Sequence, residues 1–504
     1  MNIKRAKQEI KDTIEAYLLK DQYGAYQIPA IRQRPVLLIG PPGVGKTQIM
    51  EQISQECRIG LVAYTITHHT RQSAIGLPYI HEKIYSGHRM SVTEYTMSEI
   101  VASIYDKIEA TGLREGILFI DEINCVSETL APTMLQFLQC KTFGTHSIPE
   151  GWIIVAAGNP PEYNKSVREF DIVTLDRIKM IHVEPDLGVW KEYAQQVQIH
   201  PAILSYLDVK QENFCQIETT VDGKRFATPR GWEDLSRLIE VYEKLGKTVD
   251  RDVVFQYIQH AKIAKDFANY LELYYKYQQD YQIEEILEGV IRESACDKLA
   301  KAPFDERLSV MSLLLTKLND GFRNVVKMEN RLERLQQLFG GVKPGTYNEA
   351  EYESAAERLN GILAGAQAEW KYKKEAGLLN RQEDYLYRDV LKVLEETARS
   401  VKAEGRRSAD EVWEKVTEKF GQLNEEYEEL FDTCGLRLEH GFDFMEAAFE
   451  NSQEMVVFMT GLNTGFYGVK FLQEYECERY YQYNRDLLFE GQEQEILQKI
   501  ENRI

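Results

Sequence analysis

The stretch from Gly40 to Thr47, GPPGVGKT, constrains the fold more than any other part of the sequence. It follows the aliphatic run PVLLI at 35–39, which has the character of a fully buried strand, and it precedes a helical pattern. Its GxxxxGK[ST] spacing is typical of a loop whose backbone N–H groups surround a phosphate at the amino end of a helix. The sequence therefore predicts a strand, a phosphate-binding loop and a helix, in that order.

Two further aliphatic runs end in polar side chains. ILFIDEIN (117–124) ends in the carboxylates Asp121 and Glu122, and WIIVAAGNPPEYN (152–164) breaks at Asn159. Asp121 is expected to bind Mg²⁺ through its water shell, and Glu122 is expected to be the general base. Asn159 is expected to orient the attacking water, although taken alone it also fits a plain Asn-Pro turn.

The ligand predicted for these motifs is ATP with Mg²⁺, and the motifs do not distinguish ATP from GTP. Lys46 is expected to reach the β- and γ-phosphates, while Thr47 and Asp121 are expected to hold the metal. The residues predicted to bind the nucleotide are Gly40, Pro41, Pro42, Gly43, Val44, Gly45, Lys46, Thr47 and Asp121.

The motifs GPPGVGKT, ILFIDEIN, AAGNPPEYN, TLDRIKMI and TPRGWEDL, in this order, resemble those of the MoxR family of AAA+ ATPases over roughly residues 30–280. In that family they are Walker A, Walker B, sensor 1, an arginine finger and sensor 2. The resemblance implies that Arg177 is a finger that enters a neighbouring subunit's site and that Arg230 is sensor 2. Both would act on charge at the γ-phosphoryl group. Arg168 is the rival finger candidate, and any of the three is also compatible with a surface or ion-pairing role.

The resemblance implies an α/β fold of the P-loop NTPase (AAA+) type, with a parallel five-stranded sheet and a helical lid. Helical periodicity beyond this region predicts an all-α carboxy-terminal domain. Strands are predicted near 35–39, 61–66, 117–121, 152–157 and 179–183. The predicted domains are an amino-terminal helix and linker (1–30), the nucleotide-binding core (31–190) with an insert near 67–96, the lid (191–295) and a helical domain of unknown role (296–504).

The insert departs from the simplest layout of the family. It resembles the insert in the second helix of the clade that contains MoxR, which commonly forms a small hairpin near the pore of the ring. The letters YSGHR at 85–89 supply a turn. His68 and His69 lack an acidic partner at zinc spacing, so a zinc site is not expected there.

From about residue 300 the sequence offers only helical periodicity. Apolar residues recur at spacings of three and four from Val325 to Phe339, before Gly340, and again from Trp413 to Leu430. These stripes either bury one another in a bundle or leave one face that docks a partner or a neighbouring subunit.

Composition narrows the class of partner and compartment. With 80 acidic and 60 basic side chains, the net charge of −20 repels phosphate backbones, which makes nucleic acid an unlikely partner. The seven cysteines form no CxxC pairs, and no secretory signal or long apolar run is visible. The expected protein is cytoplasmic and has no membrane span.

These observations favour a Mg²⁺-dependent ATPase that assembles into a ring, expected to be a hexamer. As in MoxR relatives, hydrolysis would drive remodelling, maturation or cofactor or metal insertion of a partner protein. Such relatives typically act with proteins that contain a von Willebrand factor A domain, whose DxSxS motif is absent here, so that partner would be a separate chain. The alternatives are a nucleotide-dependent scaffold and a restriction-type, nucleic-acid-associated NTPase motor.

Overall fold

A computed structural model of the chain describes residues 1–68, 74, 76–143, 145–163, 167, 170–220, 223–345, 354–405, 408–450 and 452–485. The chain divides into two compact units. The first consists of Met1–Val189 with Gln367–Tyr385, and the second of Trp190–Ala366 with Leu386–Ile504. The finer division into four domains stays a prediction.

The first unit is built on a five-stranded parallel sheet. Its elements are α1 (Ile3–Leu18), β1 (Val36–Ile39), α2 (Lys46–Cys57), β2 (Gly60–Thr65), β3 (Pro78–Tyr85), β4 (His88–Tyr95), α3 (Glu99–Thr111), β5 (Gly116–Asp121), α4 (Ala131–Cys140), β6 (Thr142–Phe143), β7 (His146–Ser147), β8 (Trp152–Gly158), α5 (Ile172–Leu175) and β9 (Lys179–His182). The sheet has the order β2-β5-β8-β1-β9. Each predicted strand is present within one residue of its expected bounds, and the predicted P-loop fold class is confirmed.

Helices cover both faces of this sheet. Successive residues of β5 alternate between two cores, with Leu118 and Ile120 packed among residues of α3 and α4 on one side. On the other side, Ile117 and Phe119 pack among residues of α1 and α2. Because both faces are buried, the polar groups that follow the strands collect at the carboxyl edge of the sheet.

The insert forms an antiparallel hairpin of β3 and β4, with Tyr85 paired to His88. Ser86 and Gly87 have φ angles of 52° and 87°, so both turn residues lie in the left-handed region. The turn predicted at 85–89 is therefore confirmed. His69 lies outside the described residues, and the side chain of His68 is not described.

The second unit is mainly helical. Its elements are α6 (Leu187–Val197), which begins in the first unit, α7 (Pro201–Val209), β10 (Gln216–Thr220), β11 (Gly223–Ala227), α8 (Pro229–Lys244), α9 (Arg251–Tyr257), α10 (Ala261–Tyr281), α11 (Ile283–Leu287), α12 (Glu293–Ala300), α13 (Phe304–Gly340), α14 (Ala355–Glu375), α15 (Arg381–Ala403), α16 (Ala409–Phe449), α17 (Gln453–Thr464) and α18 (Phe466–Glu474). The hairpin of β10 and β11 is a feature that the helical prediction missed. None of the helices in the described part of the chain is long and apolar enough to cross a membrane.

The predicted apolar stripes belong to two long helices. In α13, Val325, Leu335 and Phe339 are buried, and the helix ends at Gly340 as predicted. In α16, Val416 and Leu423 are buried. These positions favour mutual burial of the helices as the main use of the stripes.

The turn between α14 and α15 belongs to the first unit. The Tyr372 hydroxyl donates to the Thr111 carbonyl oxygen at 3.0 Å. Lys107 Nζ donates to the Ala376 carbonyl oxygen at 2.9 Å, and Gln55 Nε2 donates to that of Leu379 at 3.3 Å. A segment from the carboxy-terminal half of the chain thus packs on helices α2 and α3.

A buried lysine in the first unit predicts a dependence of stability on pH. Lys141 is 7% exposed, and Nζ donates to Gln33 Oε1 at 2.8 Å and to the Trp152 carbonyl oxygen at 3.2 Å. Burial lowers the pKa of Lys141 from 10.5 to about 8. Between those two pH values the unfolded chain binds more protons than the folded chain, so the contribution of Lys141 to stability rises with pH.

We expect the free energy of unfolding of the wild type, relative to Lys141→Met, to increase by up to about 3 kcal/mol across that window. Chemical denaturation of both proteins from pH 8 to pH 10.5 measures this difference. If the free energies of unfolding of the two proteins changed in parallel with pH, the pKa of Lys141 would not be lowered in the folded chain.

Candidate nucleotide site

The loop between β1 and α2 has the backbone of an anion cradle. Gly43 and Gly45 have φ angles of 81° and 89°, a region that suits glycine. A Cβ on Gly40 would lie 2.5 Å from the Val183 carbonyl oxygen, so this position also has no room for a larger residue. Val44 is buried in the core beside α1 and α2, which fixes the middle of the loop. Pro42, next to Gly43 in the same loop, is half-buried.

Lys46 is the first residue of α2, and its side chain contacts both the preceding loop and the residue that follows β8. Lys46 is 8% exposed, and its Nζ donates to the Gly40 and Pro41 carbonyl oxygens at 2.8 and 2.9 Å. It also donates to Asn159 Oδ1 at 2.9 Å, across 113 residues of sequence. The predicted pair of loop lysine and strand-end asparagine is therefore in direct contact.

The two residues predicted to hold the metal also meet. The Thr47 hydroxyl donates to Asp121 Oδ2 at 2.9 Å, while Asp121 Oδ1 accepts from the Glu122 backbone N–H at 2.9 Å. A hydroxyl and a carboxylate are oxygen ligands of the kind that Mg²⁺ prefers. Together with the glycine cradle, this donor set fits a nucleotide with Mg²⁺.

Glu122 is held by its backbone and by a residue that sequence analysis missed. Its φ of 56° is unusual for a residue other than glycine and turns the chain sharply after β5. The Thr67 hydroxyl donates to Glu122 Oε2 at 3.1 Å. Thr67 closely follows the end of β2, the strand next to β5, and this polar residue at a strand end was the available signal.

Asn124 is the second residue that sequence analysis missed. It lies in a 3₁₀ turn, Ile123–Cys125, and Nδ2 donates to the Asn159 carbonyl oxygen at 2.7 Å. The motif letters DEIN contained it, but its use depends on a contact with β8 that spacing alone does not reveal.

The carboxylates influence the nearby thiol. Burial raises the pKa of Cys125 above its ordinary value, and the charges of Glu122 and Asp121 add to this increase. The thiol therefore stays protonated at neutral pH, and this part of the sheet edge carries negative charge.

The three candidate arginines have different outcomes. Arg177 follows α5, and its Nη1 donates to Gln139 Oε1 on α4 at 2.5 Å. Arg230 is exposed in the first turn of α8, within the second compact unit, after the N-cap Thr228. Arg168 lies outside the described residues. The roles of Arg177 and Arg230 stay predictions.

Comparison with known proteins identifies the class of the first unit. Residues 35–178 match the family model for the AAA domain (dynein-related subfamily). A search of curated protein sequences found no match. Two mutants of Thermotoga maritima RuvB are among the solved structures found. One has 15% identity and a TM-score of 0.30, with 51% of this chain and 69% of that chain covered. The other has 17% identity and a TM-score of 0.27, with the same coverages of 51% and 69%.

The chain therefore contains a region, residues 35–178, that is similar to the AAA domain. The match does not distinguish the MoxR subfamily, which stays a prediction.

The close contact at Gly40 provides a test of the cradle. In Gly40→Ala the new methyl group would meet the Val183 carbonyl oxygen, so the loop must shift. We expect the Kd for a fluorescent ATP analogue to rise by at least about 10-fold, because displaced N–H groups no longer converge on the phosphates.

The matched control is Gly60→Ala, at the opposite end of the sheet, where a Cβ would lie 2.9 Å from the Trp152 ring. This substitution should lower the melting temperature and leave the Kd unchanged. Equal Kd changes in the two variants would mean that binding responds only to general destabilisation.

Proposed function

We propose that the chain is a Mg²⁺-dependent ATPase of the MoxR type that acts as a ring on a partner protein. The observation that carries this proposal is the pair of contacts at the sheet edge, Lys46 with Asn159 and Thr47 with Asp121. These four side chains come from the start of α2 and from the ends of β5 and β8, and their convergence is what phosphate binding beside a metal requires.

The residues of the chain have separable tasks in hydrolysis. Lys46 donates to the β- and γ-phosphates and offsets their negative charge. Glu122 accepts a proton from the attacking water, and Asn159 orients that water. Thr47 and Asp121 would hold Mg²⁺, which when bound would supply positive charge that stabilises the negative charge of the phosphates. Thr67 occupies one oxygen of Glu122, so it restrains the base until that hydrogen bond is exchanged.

A finger in trans is the basis for proposing a ring. Arg177 is exposed and bonded to Gln139 on its own chain, an arrangement that presents a cation at the surface. A guanidinium from a neighbouring copy would add charge stabilisation that a single chain lacks, and hydrolysis would then require assembly. Arg230, at the start of α8 in the predicted lid, would couple binding and loss of the γ-phosphate to movement of the lid.

An exposed apolar hairpin supports a protein as the partner. The β3–β4 hairpin leaves apolar side chains in solvent, with Ile80 78% and Ile84 69% exposed. A hairpin of two strands is only marginally stable by itself and gains stability from a protein surface that covers it. This feature supports a protein client, for which a separate chain with a von Willebrand factor A domain is a candidate.

Removal of the base tests hydrolysis. Glu122→Gln keeps the size of the side chain and removes its ability to accept a proton, so we expect kcat for ATP to fall by at least about 100-fold. Binding of ATP should be retained. Steady-state phosphate release and analogue titration measure the two properties. Turnover at the wild-type rate in this variant would contradict the proposal.

The same variant tests the client. Because it should remain loaded with ATP, affinity purification in ATP should retain a partner protein that is released when the nucleotide is removed. Recovery that does not depend on nucleotide would argue against a MoxR-type role.

Mixing two inactive variants tests the finger. Lys46→Ala lacks a working phosphate site, and Arg177→Ala lacks the cation offered to a neighbour. A mixed ring can pair an intact site with an intact finger, so we expect partial recovery of activity, up to about a quarter of wild type. Phosphate release across mixing ratios measures it.

Arg237→Ala is the control, since this exposed arginine pairs with Glu233 on its own helix. It should leave turnover unchanged. Absence of any recovery in the mixtures, with each variant correctly assembled, would show that Arg177 does not act between copies.

A further inference from the structure

We propose that Asn124 is a positioning residue for hydrolysis, acting through Asn159. The inference rests on the proposed function and adds a residue that neither the motifs nor the family match assigns. Asn124 is 5% exposed, and its Nδ2 donates to the carbonyl oxygen of Asn159 at 2.7 Å. It therefore binds the main chain of the residue whose side chain contacts Lys46.

The contact fixes Asn159 at two points. Its carbonyl oxygen is bonded to Asn124, and its Oδ1 is bonded to Lys46 Nζ at 2.9 Å. The bond from Asn124 fixes the main chain from which the Asn159 side chain extends, and the Nδ2 group of that side chain takes part in neither of these two bonds. That group is the one able to donate to an attacking water or to a phosphate oxygen.

Packing around Asn124 reinforces this role. A Cβ on Gly158 would lie 2.5 Å from Asn124 Oδ1 and 2.9 Å from Nδ2, so the amide lies directly against the end of β8. The Gly158 carbonyl oxygen accepts from the Gly40 N–H at 3.4 Å. Asn124 therefore contacts the point where β8 meets the phosphate loop.

The other end of the amide suggests that Asn124 serves more than local stability. Within the described residues, Asn124 Oδ1 is buried and has no hydrogen-bond partner. A buried acceptor without a partner lowers the stability of the fold, and an apolar residue of similar size would avoid that loss. A buried amide with only its donor used is better explained by the need to place Asn159 than by stability.

The test combines Asn124→Ala with Asn159→Ala. We expect Asn124→Ala to lower kcat by about 10- to 100-fold with less than about a threefold change in the KM for ATP, because orientation is lost and binding is kept. If Asn124 acts through Asn159, the double variant is no slower than Asn159→Ala. Independent effects that multiply in the double variant would overturn the inference.

Asn124→Asp covers the case in which the alanine variant does not fold. It preserves the volume and replaces the donating NH₂ with an oxygen, so the same loss of kcat is expected. Gln33→Ala is the matched control, since Gln33 is 5% exposed and its Nε2 donates to the carbonyl oxygens of Tyr17 and Ile28 at 3.0 Å. It should lower the melting temperature without changing kcat, and a kcat loss equal to that of Asn124→Ala would overturn the inference.

The outcome is distinguishable from failure of the proposed function. Loss of the wild-type turnover in Glu122→Gln establishes the ATPase activity, whatever the comparison of the Asn124 and Asn159 variants shows. If the ATPase is established and the effects of Asn124→Ala and Asn159→Ala on kcat multiply in the double variant, only the role assigned to Asn124 is wrong.

Discussion

The register of three parallel strands is the constraint on which the site depends. Strand β8 pairs with β5 on one side and with β1 on the other, with Ile39 opposite Gly158. This register brings Asn159 to the start of the phosphate loop and Asp121 to Thr47. A shift of one residue would exchange the side chains of a strand between the two cores and would separate Asn159 from Lys46 or Asp121 from Thr47. Burial of the sheet therefore also fixes the polar edge.

The strand ends were predictable because their position follows from local pattern. An aliphatic run shows where a buried strand ends, and the next polar residues, such as Asp121 and Asn159, must lie at the sheet edge. The same reasoning applied to β2 would have predicted Thr67. Asn124 differs, because its contact with Asn159 depends on how a 3₁₀ turn folds back against β8.

Two other features show the limits of pattern. The sequence carries the letters DG at 222–223, a turn signal that the helical prediction for the residues beyond 185 did not use, and β10 and β11 form a hairpin there. The packing of 367–385 on α2 and α3 has no local signal, because its hydrogen bonds use main-chain carbonyl groups such as those of Ala376 and Leu379. Any residue supplies such an acceptor, so the sequence carries no record of this contact.

The two anchors of Asn159 differ in how easily a ligand can exchange them. Lys46 donates to Asn159 and to carbonyl oxygens of its own loop, and a phosphate offers these donors a charged acceptor, which forms the stronger hydrogen bond. The bond from Asn124 is part-buried, joins two neutral groups and uses the main chain of Asn159 rather than its side chain. Exchange of the first anchor would therefore free the side chain of Asn159 while its main chain stays in place. In its proposed role, Asn159 would then turn only its amide toward the γ-phosphate, without distorting β8, which supports the site.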